Sequence, residues 1–311
     1  MKTKNILIIG DIILDEYVQG TVTRISPEAP IPILNKQETY YRLGGAANVA
    51  RNVNALGGKT WIIGRIGKDS AGNKVKHMLC DEGIMTDLLL TNPDIPTIVK
   101  TRFVAENHQL LRVDYEDTSP ISDLEKISVF KEDLERHLRY FDGVIISDYN
   151  KGTITEEIAN YIGFIAKKYN KIITVDTHKK DISCYSGYSC ITPNLKELQM
   201  WFEKPLNSLD ILKDAIKVLK REFNFNSILL TLSEKGILVI DEKENTTHIP
   251  VTVQDIVDVT GCGDTVIAVY TLGLCCGLSE YEAAKLSNRA AGIVASKFGT
   301  AVCTSEELDN A

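Results

Sequence analysis

Short apolar runs alternate with longer amphipathic stretches along most of the chain. NILIIG at residues 5–10 comes first, and WIIGR, GVIIS, KIITV, SILLTL and GILVI follow, each dense in branched aliphatic residues like a strand buried on both faces. Between them, apolar residues recur at helical spacing over 45–57, 71–83, 123–140, 155–169, 208–223, 264–277 and 280–298. This order predicts an α/β fold: a mostly parallel sheet with helices on both faces, a three-layer αβα arrangement. Residues 12–42 and 92–116 break the alternation, lacking a helical period and carrying prolines within β-favouring stretches such as ISPEAPIPIL and TIVKTRFV. They predict strands of a smaller sheet standing off the main one. Open α/β sheets bind ligands beyond the carboxyl ends of their strands, so this small sheet is placed to act as a lid. No repeat, low-complexity run or linker interrupts the pattern, and residues 1–311 are expected to form one domain with the lid strands inserted.

Composition narrows the function classes. The chain has 311 residues, 44% apolar and 25% charged, with a net charge of -7. That balance suits a globular protein with a large core and lacks the basic footprint of a nucleic-acid or anionic-membrane binder. The apolar run in MKTKNILIIGD is too short for a signal peptide, and no other stretch approaches the roughly 18 apolar residues of a membrane span, so a cytoplasmic protein is expected. Seven cysteines, at 80, 184, 190, 262, 275, 276 and 303, include no C-x-x-C pair and no histidine at ligand spacing. This argues against both structural zinc and a disulfide framework.

Two glycine-rich stretches carry the candidate chemistry. In DVTGCGDT at 258–265, Gly261 and Gly263 permit a tight turn, and Asp264 stands where an apolar helix begins. Free amides and the dipole at a helix start attract anions, although a simple turn with an aspartate cap would use the same residues. Cys262 lies between the two glycines, where a helix start can lower a thiol pKa, but its backbone amide is the more useful group. In RLGGAANVARNVNALG at 42–57, Gly44 and Gly45 precede a helix of small residues with Asn48 one turn in. TPNLKEL at 192–198 follows a strand. Other phosphate motifs fail: LGGKT has Val53 and GRIGKDS has Ile62 where a phosphate loop needs glycine, and GCGDTV has Val266 at the last glycine of a dinucleotide fingerprint.

Taken together, the order GD...LD, GGAANVA, TPNLKE and DVTGCGDT resembles the PfkB, or ribokinase-like, sugar kinases across essentially the whole chain. The last motif corresponds to the family signature DTxGAGD, with Val259 and Cys262 as variations. TRISPEAPIPIL at 23–34 and NHQLLRVDYE at 107–116 are more specifically similar to the stand-alone form of the D-glycero-β-D-manno-heptose-7-phosphate kinases of lipopolysaccharide precursor synthesis. The resemblance implies the ribokinase-like fold, Asp264 as catalytic base, and an anion hole from the amides of Gly261, Cys262 and Gly263. It implies ATP and Mg²⁺, with Asn194 and Glu197 organising the metal and phosphates. Thr231, Ser233 and Gly236 would line the nucleotide phosphates, and Asn288 would lie by the adenine. Asp258 and Thr260 match positions near a monovalent-cation site, a place for K⁺. Asp15, Gly44, Gly45 and Asn48 would hold the sugar, joined from the lid by Arg24 and Arg102. Lids of this family often pair between subunits, so a homodimer through the lid is expected.

One stretch departs from these kinases. They typically read VDPKG after the fourth strand, with the lysine facing the substrate's phosphate, whereas this chain reads VDTHKKD. His178 takes the lysine's place, with Lys179 and Lys180 following. Either a neighbouring lysine takes over, or the acceptor is a related sugar or sugar phosphate, or the basic run simply faces water. Ribose, fructose 1-phosphate and nucleosides are the alternative acceptors. A sensor on a degenerate kinase fold is the alternative of another class, although the intact GCGD speaks for catalysis.

Overall fold

The computed structural model describes residues 3–106, 108–121, 124–203, 205–251 and 256–310. The chain begins with β1 (Asn5–Gly10), β2 (Ile12–Ile25), β3 (Pro32–Gly45), α1 (Ala46–Ala55), β4 (Lys59–Ile63), β5 (Arg65–Gly67) and α2 (Ser70–Asp81). It continues through β6 (Leu90–Asn92), β7 (Ile98–Ala105), β8 (His108–Tyr115), α3 (Leu124–His137), β9 (Gly143–Asp148), α4 (Glu156–Lys168) and β10 (Ile172–Thr177). After β11 (Cys190–Ile191) come α5 (Leu195–Phe202), α6 (Leu209–Glu222), β12 (Ser227–Thr231), β13 (Ile237–Ile240) and β14 (Thr246–Ile249). The last helices are α7 (Cys262–Cys275), α8 (Glu280–Ala295) and α9 (Ser305–Asn310).

The main sheet has eight strands in the order β14-β13-β12-β11-β10-β9-β1-β4. From β4 to β12 neighbouring strands are parallel, and β13 and β14 are added antiparallel at one edge. The apolar runs explain this arrangement. In β1, Leu7 and Ile9 face a core made with α3, α4 and α6, including Phe130, Ile158 and Ile216. Ile6 and Ile8 face the opposite core with α1, α2 and α7, including Val49, Val53 and Ile267. A strand that is apolar at every position can only lie between two such layers. Helix α7 is apolar on every side because it is enclosed, with residues 264–273 all buried. The fold is the three-layer αβα class with a mostly parallel sheet.

The stretches set apart as a lid form a four-stranded sheet in the order β3-β2-β7-β8. The hairpin β2–β3 carries residues 12–45, and β7 joins it parallel to β2. Asn92, at the start of the second stretch, instead ends β6, which pairs with β5 in a separate two-stranded sheet. Asn107, which opens the NHQLLRVDYE stretch, and residue 123, the first position of one expected helix, lie outside the described residues.

The helices fall within a few residues of expectation because their caps are written locally. Asp69, Thr155 and Ser208 each accept an amide from the first turn of α2, α4 and α6, and Ser279 with Glu282 forms a capping box on α8. Helices α5 and α9 were not expected. The signal for α5 stands in TPNLKEL, where Asn194 and Glu197 form a reciprocal capping box.

Candidate active site

A cleft of about 450 Å³ opens at the carboxyl ends of the sheet strands, bounded by the turn into α7, the loops after β9 and β10, and α8. The turn sets its floor. Gly261 caps α7 in the left-handed region, φ 81°, with no side-chain cap, and a Cβ there would lie 2.9 Å from Asn48 Nδ2. Among the described residues the amides of Gly261, Gly263 and Asp264 have no protein acceptor, whereas the Cys262 N–H donates to Val259 O at 3.2 Å. The free donors at this helix start are therefore the two glycines and Asp264 itself, and the expected contribution of the Cys262 amide is already used by the turn. The Cys262 thiol is no low-pKa nucleophile either, since burial pushes it up to about 11.

Asp264 is 4% exposed. Its Oδ2 accepts from Asn48 Nδ2 of α1 at 2.7 Å, and its Oδ1 accepts from the Tyr149 hydroxyl at 2.9 Å. Burial raises its pKa to about 6, with the Asn48 and Tyr149 hydrogen bonds working against the rise. Asn48 is presented from α1 beside Asn52, whose Oδ1 takes the Thr265 hydroxyl at 2.8 Å and fixes α1 against α7.

Beside Asp264 lies a second acidic group. Asp176, at the end of β10, lines the cleft, and burial together with the neighbouring Glu197 carboxylate raises its pKa well above the usual range. Glu197 is held twice: Oε2 accepts the Asn194 N–H at 2.8 Å within the α5 cap, and Oε1 meets His178 Nδ1 at 2.6 Å. The Glu197 hydrogen bond raises the His178 pKa, and the imidazole ring sits edge-on to Tyr149 at 4.8 Å. Asp176 lines the cleft beside Gly263 of the helix start, with Glu197 behind it, and such a carboxylate suits a cation carried in by a phosphate ligand.

The far wing of the cleft is lined by Thr231, Ser233, Gly236 and Asn288, the residues expected around a nucleotide. Asn288 is anchored by donating to Pro250 O at 2.8 Å, and Ile256, Val259 and Ala295 supply a flat apolar wall. Toward the lid, Asp15 on β2 accepts Arg102 Nη1 at 2.5 Å. Gly44 is a glycine for space: a Cβ there would lie 2.5 Å from Asp15 Oδ2. Gly45 ends β3 against Ile12, at the start of α1. Asp258 Oδ1 accepts the Thr260 N–H and hydroxyl at 2.9 and 2.7 Å, and Oδ2 accepts the Gly299 N–H at 2.9 Å. Burial opposes ionisation there, but these hydrogen bonds prevail and lower the Asp258 pKa.

Two expected residues stand elsewhere. Lys179 does not line the cleft: its Nζ donates to Ile154 O at 2.6 Å and pairs with buried Asp148 at 3.0 Å, beside a separate cavity. An acidic, fully enclosed partner captures the ammonium, so Lys179 cannot stand in for the lysine that His178 replaces. Lys180 is exposed and pairs with Glu203. Arg24 is exposed near the outer end of β2, away from the cleft. Conversely, Tyr149 and the position of Asp176 were not singled out as site residues. Asp176 carried a weak signal as a carboxylate following a strand, and Tyr149 carried none beyond its place after β9.

The family profile described as pfkB family carbohydrate kinase matches residues 3–307. Over 98% of its length the chain is 40% identical to the bifunctional protein HldE of Helicobacter pylori strain Shi470 and 37% identical to that of Psychromonas ingrahamii. It spans 65% and 63% of those relatives' lengths. Among solved structures, phosphofructokinase-2 from Escherichia coli in complex with potassium superposes with a TM-score of 0.81 at 19% identity, covering 99% of this chain and 97% of that one. Arabidopsis thaliana ribokinase complexed with ribose and ATP superposes with a TM-score of 0.80 at 18% identity, covering 99% and 98%. At such identities these two likenesses concern the fold alone. With the profile running nearly end to end, the chain belongs to the pfkB family of carbohydrate kinases, which transfer a phosphoryl group from ATP to a sugar.

Proposed function

We propose that the protein uses ATP to phosphorylate the anomeric C1 hydroxyl of D-glycero-D-manno-heptose 7-phosphate, giving the 1,7-bisphosphate on the way to nucleotide-activated heptose for lipopolysaccharide or other surface glycans. The observation that carries the reading is Asp264: a buried carboxylate with unused lone pairs, one residue past the free amides of a helix start. Substrate class is supported by the HldE relatives and by the two lid stretches similar to heptose-phosphate kinases.

In this reading Asp264 accepts the proton of the acceptor hydroxyl as its oxygen bonds to the γ-phosphorus and the bond to the ADP oxygen breaks. The amides of Gly261, Gly263 and Asp264 face the charge that spreads over the transferred group. An anomeric hydroxyl is more acidic than an ordinary alcohol, and a base of pKa about 6 is ionised at neutral pH. Asp176 and Glu197 would hold Mg²⁺ together with the nucleotide phosphates, and that ion would neutralise phosphate charge. Among the described residues no three His, Cys, Asp or Glu side chains cluster as an ion cage. This donor set suits Mg²⁺, which binds through one or two carboxylates plus phosphates and water. Asp258 and Thr260 would stand by K⁺. Arg102 on the lid, beside Asp15, is the candidate to hold the substrate's phosphate.

We also propose a homodimer through the lid, where β8 exposes Leu111, Val113 and Tyr115 along an edge strand. A different acceptor within the family is the second reading, favoured by the diversion of Lys179 to Asp148. A panel of heptose 7-phosphate, ribose, fructose 1-phosphate and nucleosides, with products mapped by ³¹P and ¹H NMR, decides between them. The first reading expects the highest kcat/KM with the heptose phosphate and a new phosphate on C1. A preference for any other sugar replaces it.

A further inference from the structure

Asp264 is held from two sides, and only one of its partners comes from a helix of the glycine motifs. The other is Tyr149, the residue immediately after β9, half-buried in the cleft wall. Among the described residues its hydroxyl has one hydrogen-bond partner, Asp264 Oδ1 at 2.9 Å. Its ring meets the His178 imidazole edge-on, 4.8 Å between centroids and 89° between planes. His178 in turn is fixed by Glu197, which is fixed by the Asn194 cap of α5. The tyrosine hydroxyl is thus held by packing that does not involve the base.

We propose that Tyr149 is a positioning residue for the catalytic base: its hydroxyl, donating to Asp264 Oδ1, locks the carboxylate so that its remaining lone pairs face the acceptor hydroxyl. The proposal rests on Asp264 being the base. A carboxylate offers about four acceptor directions, and Asn48 and Tyr149 occupy one on each oxygen. With a donor on each oxygen, rotation about the Cβ–Cγ bond is closed, and proton transfer needs such a fixed geometry. Burial and the carboxylates of Asp264 and Asp176 raise the Tyr149 pKa well above its usual value, so the phenol always donates and cannot act as the base itself. The groups facing Asp264 from the surrounding elements are Asn48 on α1, Asp15 on β2, Tyr149 after β9, Asp176 on β10, His178 after β10 and Cys262 at the start of its own helix. Only the tyrosine and asparagine touch it.

Tyr149→Phe keeps the ring against His178 and removes the donor. The kcat is expected to fall roughly tenfold or more, the loss that goes with one hydrogen bond to a charged acceptor, while KM for ATP changes little. Because that bond favours the ionised carboxylate, the acid limb of kcat/KM should move upward from about 6. If Tyr149→Phe does not fold, judged by its thermal melt, 3-fluorotyrosine placed at position 149 is the second probe: a more acidic phenol donates more strongly, and the limb should move down. An acid limb that stays in place in the folded variant overturns the proposal. Asp264→Asn separates the two levels. If that variant remains active, the base assignment fails; if it is inactive while Tyr149→Phe matches wild type, the positioning role alone fails.

Discussion

Two aspartates stand at the same end of the sheet, each buried and each bonded to a tyrosine, yet they are bonded in opposite ways. Asp148 ends β9 at 1% exposure and receives the Asn150 N–H at 2.8 Å, the Tyr185 hydroxyl, the Lys179 ammonium at 3.0 Å and the Thr177 hydroxyl at 3.4 Å. Asp264 starts α7 at 4% exposure and receives two donors, neither of them charged. Asp148 has its acceptor capacity filled and carries a paired counter-charge, which makes it a rivet between the β9 and β10 loops. Asp264 keeps half its capacity and no cation of its own. Burial is common to both; the count of donors is what separates the proposed base from the strut.

That contrast predicts a double dissociation between two conservative variants. Asp264→Asn should lose about 10² to 10⁴ in kcat, the usual contribution of a general base. It should at the same time be more stable. The Asp264 pKa rises from 3.8 unfolded to about 6 folded, so the folded state holds the proton more tightly. Stability then falls as pH climbs from about 4 to 6, and at neutral pH the ionised carboxylate costs on the order of 2 to 3 kcal/mol. The amide removes that cost: its oxygen can accept from Asn48 while its NH₂ donates to the Tyr149 oxygen. Thermal melts should show the variant above wild type at pH 7.5 and level with it near pH 4. A variant that is inactive and also less stable at pH 7.5 would mean that Asp264 is a strut like Asp148.

Asp148→Asn should behave in the reverse sense. It leaves the Lys179 ammonium, 17% exposed, without its counter-charge, and breaking a buried pair from one side costs about 3 to 5 kcal/mol. Urea titration should record that loss, while kcat per folded molecule stays within a few-fold of wild type. Loss of turnover with an unchanged urea midpoint would reverse the assignment and move the chemistry toward the Lys179 cavity.

The same pair shows where sequence reasoning reaches and where it stops. Asp264 was legible because the glycines around it constrain backbone conformation, and backbone constraints are local: only glycine tolerates the cap at 261. The strands and most helices were legible for the same reason, through period and caps. Lys179 was not. Its distance from His178 along the chain is one residue, but its direction is set by Asp148 and Tyr185, which arrive from β9 and from the loop before β11. Tyr149 is the mirror case, a residue without a motif whose role depends on α7 arriving opposite it 115 positions later. Arg24 was placed by its stretch rather than by any contact, and the length of the β2–β3 hairpin carries it beyond the cleft.

Cys262 marks the small end of the scale. It sits inside the most informative motif of the chain, between the two glycines and two residues before the proposed base, where proximity alone would suggest chemistry. Three observations say otherwise. Its amide is spent on Val259 O, its thiol makes only a weak 3.7 Å contact to Ala291 O, and burial with two neighbouring carboxylates raises its pKa to about 11. The reactive species is the thiolate, so at neutral pH the sulfur is inert. Cys262→Ala retains the backbone and the helix start, and alanine favours helix. The expected kcat is within about threefold of wild type, and the acid limb should not move, since a neutral thiol exerts little field on Asp264. A larger fall in kcat, or inactivation by iodoacetamide that Cys262→Ala prevents, would show that the motif acts through its cysteine as well as through its glycines and aspartate.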